Sequence, residues 1–301
     1  MAATSAWIEA ARPRTLPLAL ASIGMGAFLA AAVDAFRWDV FLLSVLTTVF
    51  LQVLSNLAND YGDTVHGADS LEREGPARAV QSGHITPEAM KRAMLLFAVL
   101  SFISGVALIL SALSFDLQTL LFFLALGIIA IIAAITYTSG SNPYGYAGLG
   151  DISVLLFFGL VGVLGSFYLH THYLQWIYVL PALSCGFFST GVLNLNNIRD
   201  IRTDKLAGKK SIPVRIGRQR AVLYHWVLLL LGIFASVLFV VISFQSTFQL
   251  LFLVTVPLFI KNGLAVKHQV NAAALDPYLK QLALTTLLYV CTFGIGNLLA
   301  Y

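Results

Sequence analysis

Two short clusters of asparagine and aspartate residues have the residue types and spacing that metal-dependent chemistry requires. Residues 56–63 read Asn-Leu-Ala-Asn-Asp-Tyr-Gly-Asp, and residues 194–204 contain a second set of amides and acids. Each cluster lies where a charge-free apolar stretch meets a basic loop. A carboxylate at such a boundary loses hydration, and it is tolerated only where water, a cation or a polar partner compensates. We therefore predict that the two clusters form one divalent-metal site.

The spacing within each cluster favours metal binding. Residues four apart on a helix share a face, so Asn59 and Asp63 project together, as do Asp200 and Asp204. Mg²⁺ prefers oxygen ligands and keeps much of its water, so proteins usually hold it with one or two carboxylates and substrate phosphate oxygens. The alternative is that these residues merely cap membrane helices, but two matched clusters favour a metal-bridged diphosphate. The basic residues near them that can pair with its remaining oxygens are Arg78, Arg199, Arg202, Lys205, Lys209 and Lys210.

The composition indicates what must position these clusters. Hydrophobic residues make up 58% of the 301 residues and charged residues 11%, against about 25% charged in a typical soluble domain. Since about 20 apolar residues cross the hydrocarbon core, we predict an all-α polytopic membrane protein with about nine transmembrane helices around a central cavity that opens to the cytoplasmic side. The predicted spans are residues 16–33, 40–58, 93–113, 117–137, 152–169, 176–196, 221–242, 249–266 and 281–300.

The basic residues predict the orientation of the chain. With the N-terminus inside, every lysine and arginine except Arg37 falls on the inner side, as the positive-inside rule requires. The formal net charge of +4 then reflects topology and phosphate chemistry, and we expect no nucleic-acid partner. The chain is predicted to be a single domain. The shared spacing of the two clusters suggests an internal duplication, with helices one to four repeated in helices five to eight and a ninth helix added.

A diphosphate bound at a membrane face points to a lipid substrate, because the helices offer an apolar channel for a long tail. If the tail is allylic, loss of diphosphate leaves a carbocation, which aromatic faces stabilise and which must be shielded from water. The glycine-rich loop that begins at Tyr137 is predicted on the same side as both clusters. Tyr137 and Tyr144 are candidates to contact substrate when this loop closes over an aromatic acceptor. Ordinary packing is the alternative for both.

Several motifs together resemble the UbiA superfamily of intramembrane aromatic prenyltransferases. They are Ala11-Arg-Pro-Arg-Thr15, Asn59-Asp-Tyr-Gly-Asp63, Gly75-Pro-Ala-Arg78, and Asp200-Ile-Arg-Thr-Asp204 with the residues 208–217 that follow. Within the superfamily, the first cluster and the run Asn142-Pro-Tyr-Gly-Tyr-Ala-Gly-Leu-Gly-Asp-Ile-Ser153 are most similar to bacterial enzymes that prenylate 1,4-dihydroxy-2-naphthoate. The resemblance covers nearly the whole chain.

The resemblance implies a reaction in the bacterial cytoplasmic membrane. A polyprenyl group would pass from polyprenyl diphosphate to the carbon of 1,4-dihydroxy-2-naphthoate that bears the carboxylate, with release of carbon dioxide and diphosphate. The product, demethylmenaquinol, is an intermediate of menaquinone biosynthesis. Mg²⁺ is the cofactor that the resemblance implies, and no organic cofactor is needed.

The resemblance also implies roles for individual residues. Asn59 with Asp63 would bind one Mg²⁺, and Asp200 with Asp204 a second. Asp63 and Asp200 are expected to be essential for turnover, and the Tyr137 hydroxyl to orient substrate. The residues expected to contact or support the substrates are Arg14, Arg78, Tyr144, Asn197, Arg199 and Lys209.

Some assignments stay open at this point. The family's first motif often carries a further acid four residues after Asp63, but Gly67 stands there and Asp69 lies beyond it, and Asp60 points away from the Asn59 and Asp63 face. Another aromatic acceptor, such as 4-hydroxybenzoate or protohaem, would keep the metal site and change the loop. An organic-anion transporter is a further alternative, although transport sites lie near the bilayer midplane and these acids lie at one face. Prenyl chain length and oligomeric state are not encoded in these patterns.

Overall fold

The computed structural model describes residues 4–67, 78–113 and 116–300. Within these ranges, nine helices are long and apolar enough to cross a membrane. We number them α1 to α9, and their bounds are Thr4–Ala31, Trp38–Val65, Pro87–Ala112, Leu117–Thr136, Gly150–Thr171, Trp176–Arg199, Ile212–Ile242, Thr247–His268 and Ala273–Leu298. A short additional helix, Ile201–Leu206, follows α6. The predicted all-α fold with nine membrane-spanning helices is confirmed.

The apolar core lies between α1 and the helices α5 to α9, which we call the packed core. Aromatic rings occupy its centre: Phe188 of α6 stacks on Phe259 of α8 with ring centroids 4.2 Å apart, and Tyr289 of α9 meets Phe188 edge-on at 4.9 Å. The Tyr289 hydroxyl lies 2.7 Å from Ser236 Oγ. This bond satisfies a polar group that neither lipid nor the surrounding rings could satisfy.

Helices α2, α3 and α4 form a thinner wall beside the packed core. Helix α2 packs against α3, and α4 packs along both. A cluster that includes Leu54, Leu57 and Met90 fixes the inner ends of α2 and α3. Every residue of α4 keeps some exposed surface. This helix is therefore not part of a buried core.

Two helices are irregular where they border the centre of the bundle. Helix α1 bends at Arg12, whose φ of 49° is in the left-handed region. Helix α5 has the wider π-type hydrogen bonding from Leu155 to Gly165, a feature that often accompanies functional sites. A Cβ on Gly159 would lie 2.8 Å from the Ala182 carbonyl oxygen. Glycine therefore allows α5 to pack closely against α6.

Several helices extend further than the hydropathy pattern predicted. Helix α2 continues to Val65, so the first acidic cluster lies on its last turns, and α7 begins at Ile212. The pattern stops at the first polar residues, whereas a helix continues as long as its backbone and polar side chains have partners. The polar segments 139–143 and 243–246, which separate predicted spans, do fall between helices.

Candidate active site

A cavity of about 500 Å³ lies between the thin wall and the packed core. Along α2 its lining runs from Asp63 back to Ser44, which is about five helical turns or roughly 28 Å. The end near Asp63 is polar and the far end is mostly apolar. The apolar lining includes Leu18, Leu108, Ile109, Phe123, Leu126, Phe157, Phe158 and Leu169.

Three side chains contact the Asp63 carboxylate at the polar end. Its carboxylate lies 3.2 Å from Arg78 Nη2 and 2.9 Å from Lys209 Nζ, and the Tyr146 hydroxyl donates a hydrogen bond to it at 2.9 Å. The Asp63 residue is 3% exposed. Two cations and a phenol therefore compensate for the hydration that this acid loses.

The neighbours of Asp63 have different tasks. Asn59 lines the cavity, and its Oδ1 accepts a hydrogen bond from Thr138 Oγ1 at 2.9 Å. Asp60 faces the other way and accepts hydrogen bonds from the backbone amides of Ala79 at 3.0 Å and Val80 at 3.1 Å. Asp60 thus fixes the chain that directly follows Arg78, which gives it a positioning role that its sequence position alone did not reveal.

The second cluster lies at the end of α6, at the same end of the bundle as the first. Asp204 follows Asp200 by one helical turn, with a backbone hydrogen bond of 2.8 Å between them, so the predicted shared spacing is retained. Both acids line the cavity, as does Asn197. Burial raises the pKa of the Asp204 carboxyl to about 6, the nearby Asp200 and Asp63 act in the same direction, and Lys209 opposes them.

Arg199 does not line the cavity, which departs from the direct phosphate contact that we predicted for it. Its guanidinium donates to both Asp200 oxygens at 2.8 and 2.7 Å, to Asn196 Oδ1 at 2.8 Å and to Asp276 at 2.6 Å. A bidentate pair of this kind fixes both the position and the plane of the carboxylate. The geometry therefore favours a role for Arg199 in orienting Asp200.

Lys209 connects the two clusters. Its Nζ lies 2.9 Å from Asp63 and 3.4 Å from Asp204, and 4.8 Å from the centre of the Tyr146 ring. Because one ammonium group reaches a carboxylate of each cluster, the clusters are close enough to hold one polyphosphate between them.

The donor set fits Mg²⁺ that is shared with a substrate. The cavity offers amide and carboxylate oxygens from Asn59, Asp63, Asp200 and Asp204, which are the ligands that this ion prefers. In the described part of the chain, no group of three or more histidine, cysteine, aspartate and glutamate side chains could hold an ion. Mg²⁺ held by one or two carboxylates usually takes its remaining oxygens from water or from substrate phosphates.

The tyrosine loop closes the polar end from the side of α4. Tyr137 and Tyr144 both line the cavity, and their rings meet edge-on with centroids 5.3 Å apart. The Tyr144 hydroxyl lies 3.0 Å from the Ala133 carbonyl oxygen and 3.1 Å from Ser153 Oγ. Burial raises the pKa of Tyr137 well above its usual range, and Asp151 is the largest of the charges that act in the same direction. The Tyr137 hydroxyl therefore stays neutral and is able to donate a hydrogen bond.

Arg14 also lies at the cavity, beside Arg12. Its Nη1 is 3.3 Å from Asp276, and its side chain is 42% exposed. A pair this exposed contributes little to stability, so Arg14 is available to an incoming anion.

Three cavity residues had no assigned role in the sequence-based prediction. Tyr146 and Asn196 gain their roles through contacts with Asp63 and Arg199 that join separate segments. Asp151, at the start of α5, is a further buried carboxylate on the cavity wall. The sequence feature that could have indicated a role is that all three residues lie in or beside the motifs already described. Asp69, whose role was left open, lies outside the described residues.

An all-helical membrane bundle with paired acids and cations at the mouth of a long apolar cavity has the architecture of an intramembrane prenyltransferase. The sequence model of the UbiA prenyltransferase family matches residues 19–284. The chain belongs to this family.

The curated relatives of the chain include two bacterial proteins named 1,4-dihydroxy-2-naphthoate octaprenyltransferase. The Escherichia coli protein is 46% identical over 99% of this chain and 96% of its own length. The Haemophilus influenzae protein is 45% identical over 97% and 96%. A solved structure of a UbiA homolog from Archaeoglobus fulgidus, bound to GPP and Mg²⁺, superposes with a TM-score of 0.66 at 17% identity, covering 97% of this chain and 99% of the other. That structural match supports the fold.

Proposed function

We propose that the protein transfers a polyprenyl group from polyprenyl diphosphate to 1,4-dihydroxy-2-naphthoate, with loss of carbon dioxide, and so makes demethylmenaquinol for menaquinone biosynthesis. The observation that carries the proposal is the bridge from Asp63 through Lys209 to Asp204 at the mouth of a cavity with an apolar far end. The names of the two bacterial relatives support the choice of acceptor.

The diphosphate binds at the polar end. Asn59 with Asp63 and Asp200 with Asp204 would hold Mg²⁺, while Arg78 and Lys209 would pair with the remaining phosphate oxygens. Asn197 and Arg199 support the second pair. Bound Mg²⁺ neutralises charge that develops on the departing diphosphate. The buried cations of the chain act in the same direction and are already in position before the reaction begins.

The tail lies in the apolar part of the cavity. Its lining includes leucine, isoleucine and phenylalanine side chains, which exclude water from an allylic cation. Tyr137 and Tyr144 line the cavity near the acids, where the reactive carbon of the tail must lie, and their rings can stabilise positive charge.

The aromatic acceptor enters at the same end. Arg14 and Arg12 line the cavity there, and a guanidinium at this position suits the acceptor's carboxylate. Because the basic loops concentrate at this end of the bundle, it faces the cytoplasm in a bacterial inner membrane. Both substrates then approach from the compartment or leaflet in which their charged groups already lie.

The test is product analysis with defined substrates. Purified protein receives 1,4-dihydroxy-2-naphthoate, 4-hydroxybenzoate or protohaem, each with a mixture of prenyl diphosphates, and products are identified by mass spectrometry. We expect only the naphthoate to react, its product having gained a prenyl group and lost its carboxyl group, and only with a divalent metal. A preference for another acceptor, or a product that retains the carboxylate, would contradict the proposal.

A matched pair of variants controls the assay. Asp63→Asn should abolish product formation because it removes a charged metal ligand. Asp34→Asn should leave the rate unchanged, because Asp34 lies at the outer end with a φ of 57°, a conformation that asparagine also adopts.

A further inference from the structure

Asp151 is a buried carboxylate of the cavity that the metal and diphosphate roles leave unused. It is 6% exposed and belongs to the cavity lining. It lies on the first turn of α5, far in sequence from both acidic clusters. Its position is on the side of the tyrosine loop, because Tyr137 Oη would lie only 2.8 Å from a Cβ on the adjacent Gly150.

The partners of Asp151 differ from those of the other cavity acids. Asp63, Asp200 and Asp204 each lie within 3.4 Å of a basic nitrogen. Among the described residues, Asp151 has no such cation, and the side-chain donor it has is the Tyr224 hydroxyl at 3.2 Å from Oδ1. A carboxylate without a fixed cation binds a proton more readily than one held in an ion pair. Asp151 is thus suited to proton transfer, whereas the other three are suited to holding charge.

From this placement, and on the basis of the proposed function, we infer that Asp151 is a catalytic residue that accepts the proton of the acceptor hydroxyl next to the carboxylate-bearing carbon. Loss of this proton turns the ring into a naphtholate, whose electron density is raised at that carbon. The carbon then forms its bond to the prenyl group as the bond between the prenyl carbon and diphosphate breaks.

The same proton completes the reaction. Prenylation converts the naphtholate oxygen into a ring ketone, one carbon away from the carboxylate. The carbon–carboxylate bond breaks with release of carbon dioxide, and its electron pair restores the aromatic ring and the oxygen anion. Asp151 returns its proton to that oxygen. The step is balanced without an oxidant, a reductant or a net proton, and Asp151 ends as it began.

Tyr137 and Tyr224 set the orientation of this group. Tyr224 holds Oδ1, which leaves Oδ2 as the oxygen for the acceptor. Tyr137 also lies close to it, and burial raises the pKa of Tyr137 so that it does not compete for the proton. A base within hydrogen-bond reach of the abstracted proton contributes about 10²- to 10⁴-fold to a rate.

The test compares Asp151→Asn with Asp151→Glu on two acceptors. With 1,4-dihydroxy-2-naphthoate, we expect kcat of Asp151→Asn to fall about 100-fold while the KM values of both substrates stay within a few-fold, and Asp151→Glu to recover part of the rate. With a naphthoate that carries an electron-withdrawing ring substituent, so that its hydroxyl is ionised in the assay, the Asn variant should approach the wild-type rate. Equal losses on both acceptors would overturn the inference, because they would indicate an effect on folding or on the cation.

A binding measurement separates this inference from the proposed function. Prenyl diphosphate with Mg²⁺ should raise the Tm of wild type and Asp151→Asn equally, since the diphosphate site does not include Asp151. If wild type forms product and the Asn variant does so at the same rate, the inference fails while the function stands. Tyr224→Phe keeps the carboxylate and should reduce kcat by only a few-fold. If its kcat fell as far as that of Asp151→Asn, the role of Asp151 would be to position Tyr224, and the inference would be overturned.

Discussion

Helices α4 and α6 have similar lengths and no acidic residue, yet their environments differ. In the most apolar part of α6, 56% of the residues are buried, and in α4 none is. Helix α6 packs against α5, α7 and α9, whereas α4 packs against α2 and α3 and lines the cavity. Asp200, at the end of α6, is therefore held by the packed core, whereas Asp63 lies on the thin wall.

The largest effects should come from the acids, and the two regions should respond differently. Asp63→Ala, on the thin wall, and Asp200→Ala, at the end of α6, should each reduce turnover on the order of a thousandfold. Asp200→Ala should also lower the Tm more than Asp63→Ala, because the Arg199 side chain is 2% exposed and loses both hydrogen bonds of its bidentate carboxylate, whereas Arg78 loses one at 3.2 Å. Product assays and thermal melts of both variants check this, and equal Tm values would contradict the contrast.

A second comparison concerns small residues in the two helices. A Cβ on Gly186 of α6 would lie 3.1 Å from the Leu155 carbonyl oxygen and 3.2 Å from Gly159 Cα, whereas one on Gly127 of α4 would meet nothing within 4 Å. Gly186→Val should destabilise the protein by about 2 kcal/mol, and Gly127→Val should not. Melting curves in detergent measure both, and a Gly127 variant that is the less stable would disprove the description of α4 as a thin wall.

A third prediction uses the same wall to alter specificity. Gly127 lines the cavity, so Gly127→Phe should fill part of the space for the tail. We expect selection for shorter prenyl diphosphates by about tenfold in kcat/KM, with the Tm unchanged. Competition between prenyl diphosphates of two lengths gives the ratio directly, and an unchanged ratio would place the tail elsewhere.

The smallest effect is expected at the inner end of α4. Tyr137→Phe keeps the ring that meets Tyr144 and removes only a hydroxyl. Turnover should fall about threefold to tenfold, as expected for the loss of one neutral hydrogen bond. A Tyr137→Phe enzyme with the wild-type rate would assign this residue to packing.

Sequence alone predicted the features that depend on local patterns. Helix number follows from apolar length, and the shared faces of Asn59 with Asp63 and of Asp200 with Asp204 follow from helical spacing. The sequence did not predict that Arg199 points at Asp200 and Asp276, or that Asp60 binds the amides of residues 79 and 80. Those contacts depend on how loops distant in sequence meet, which no local pattern encodes. Asp151 was missed for the same reason. The internal duplication stays a prediction.

Lys209 affects the protein even when no substrate is bound. An ammonium group of the chain already lies between the two motifs, so it offsets part of the repulsion between their negative charges before any substrate binds. Insertion into the bilayer and folding can therefore precede the arrival of metal and lipid. A drop in cellular magnesium would then slow quinone production without unfolding the enzyme and exposing it to proteases.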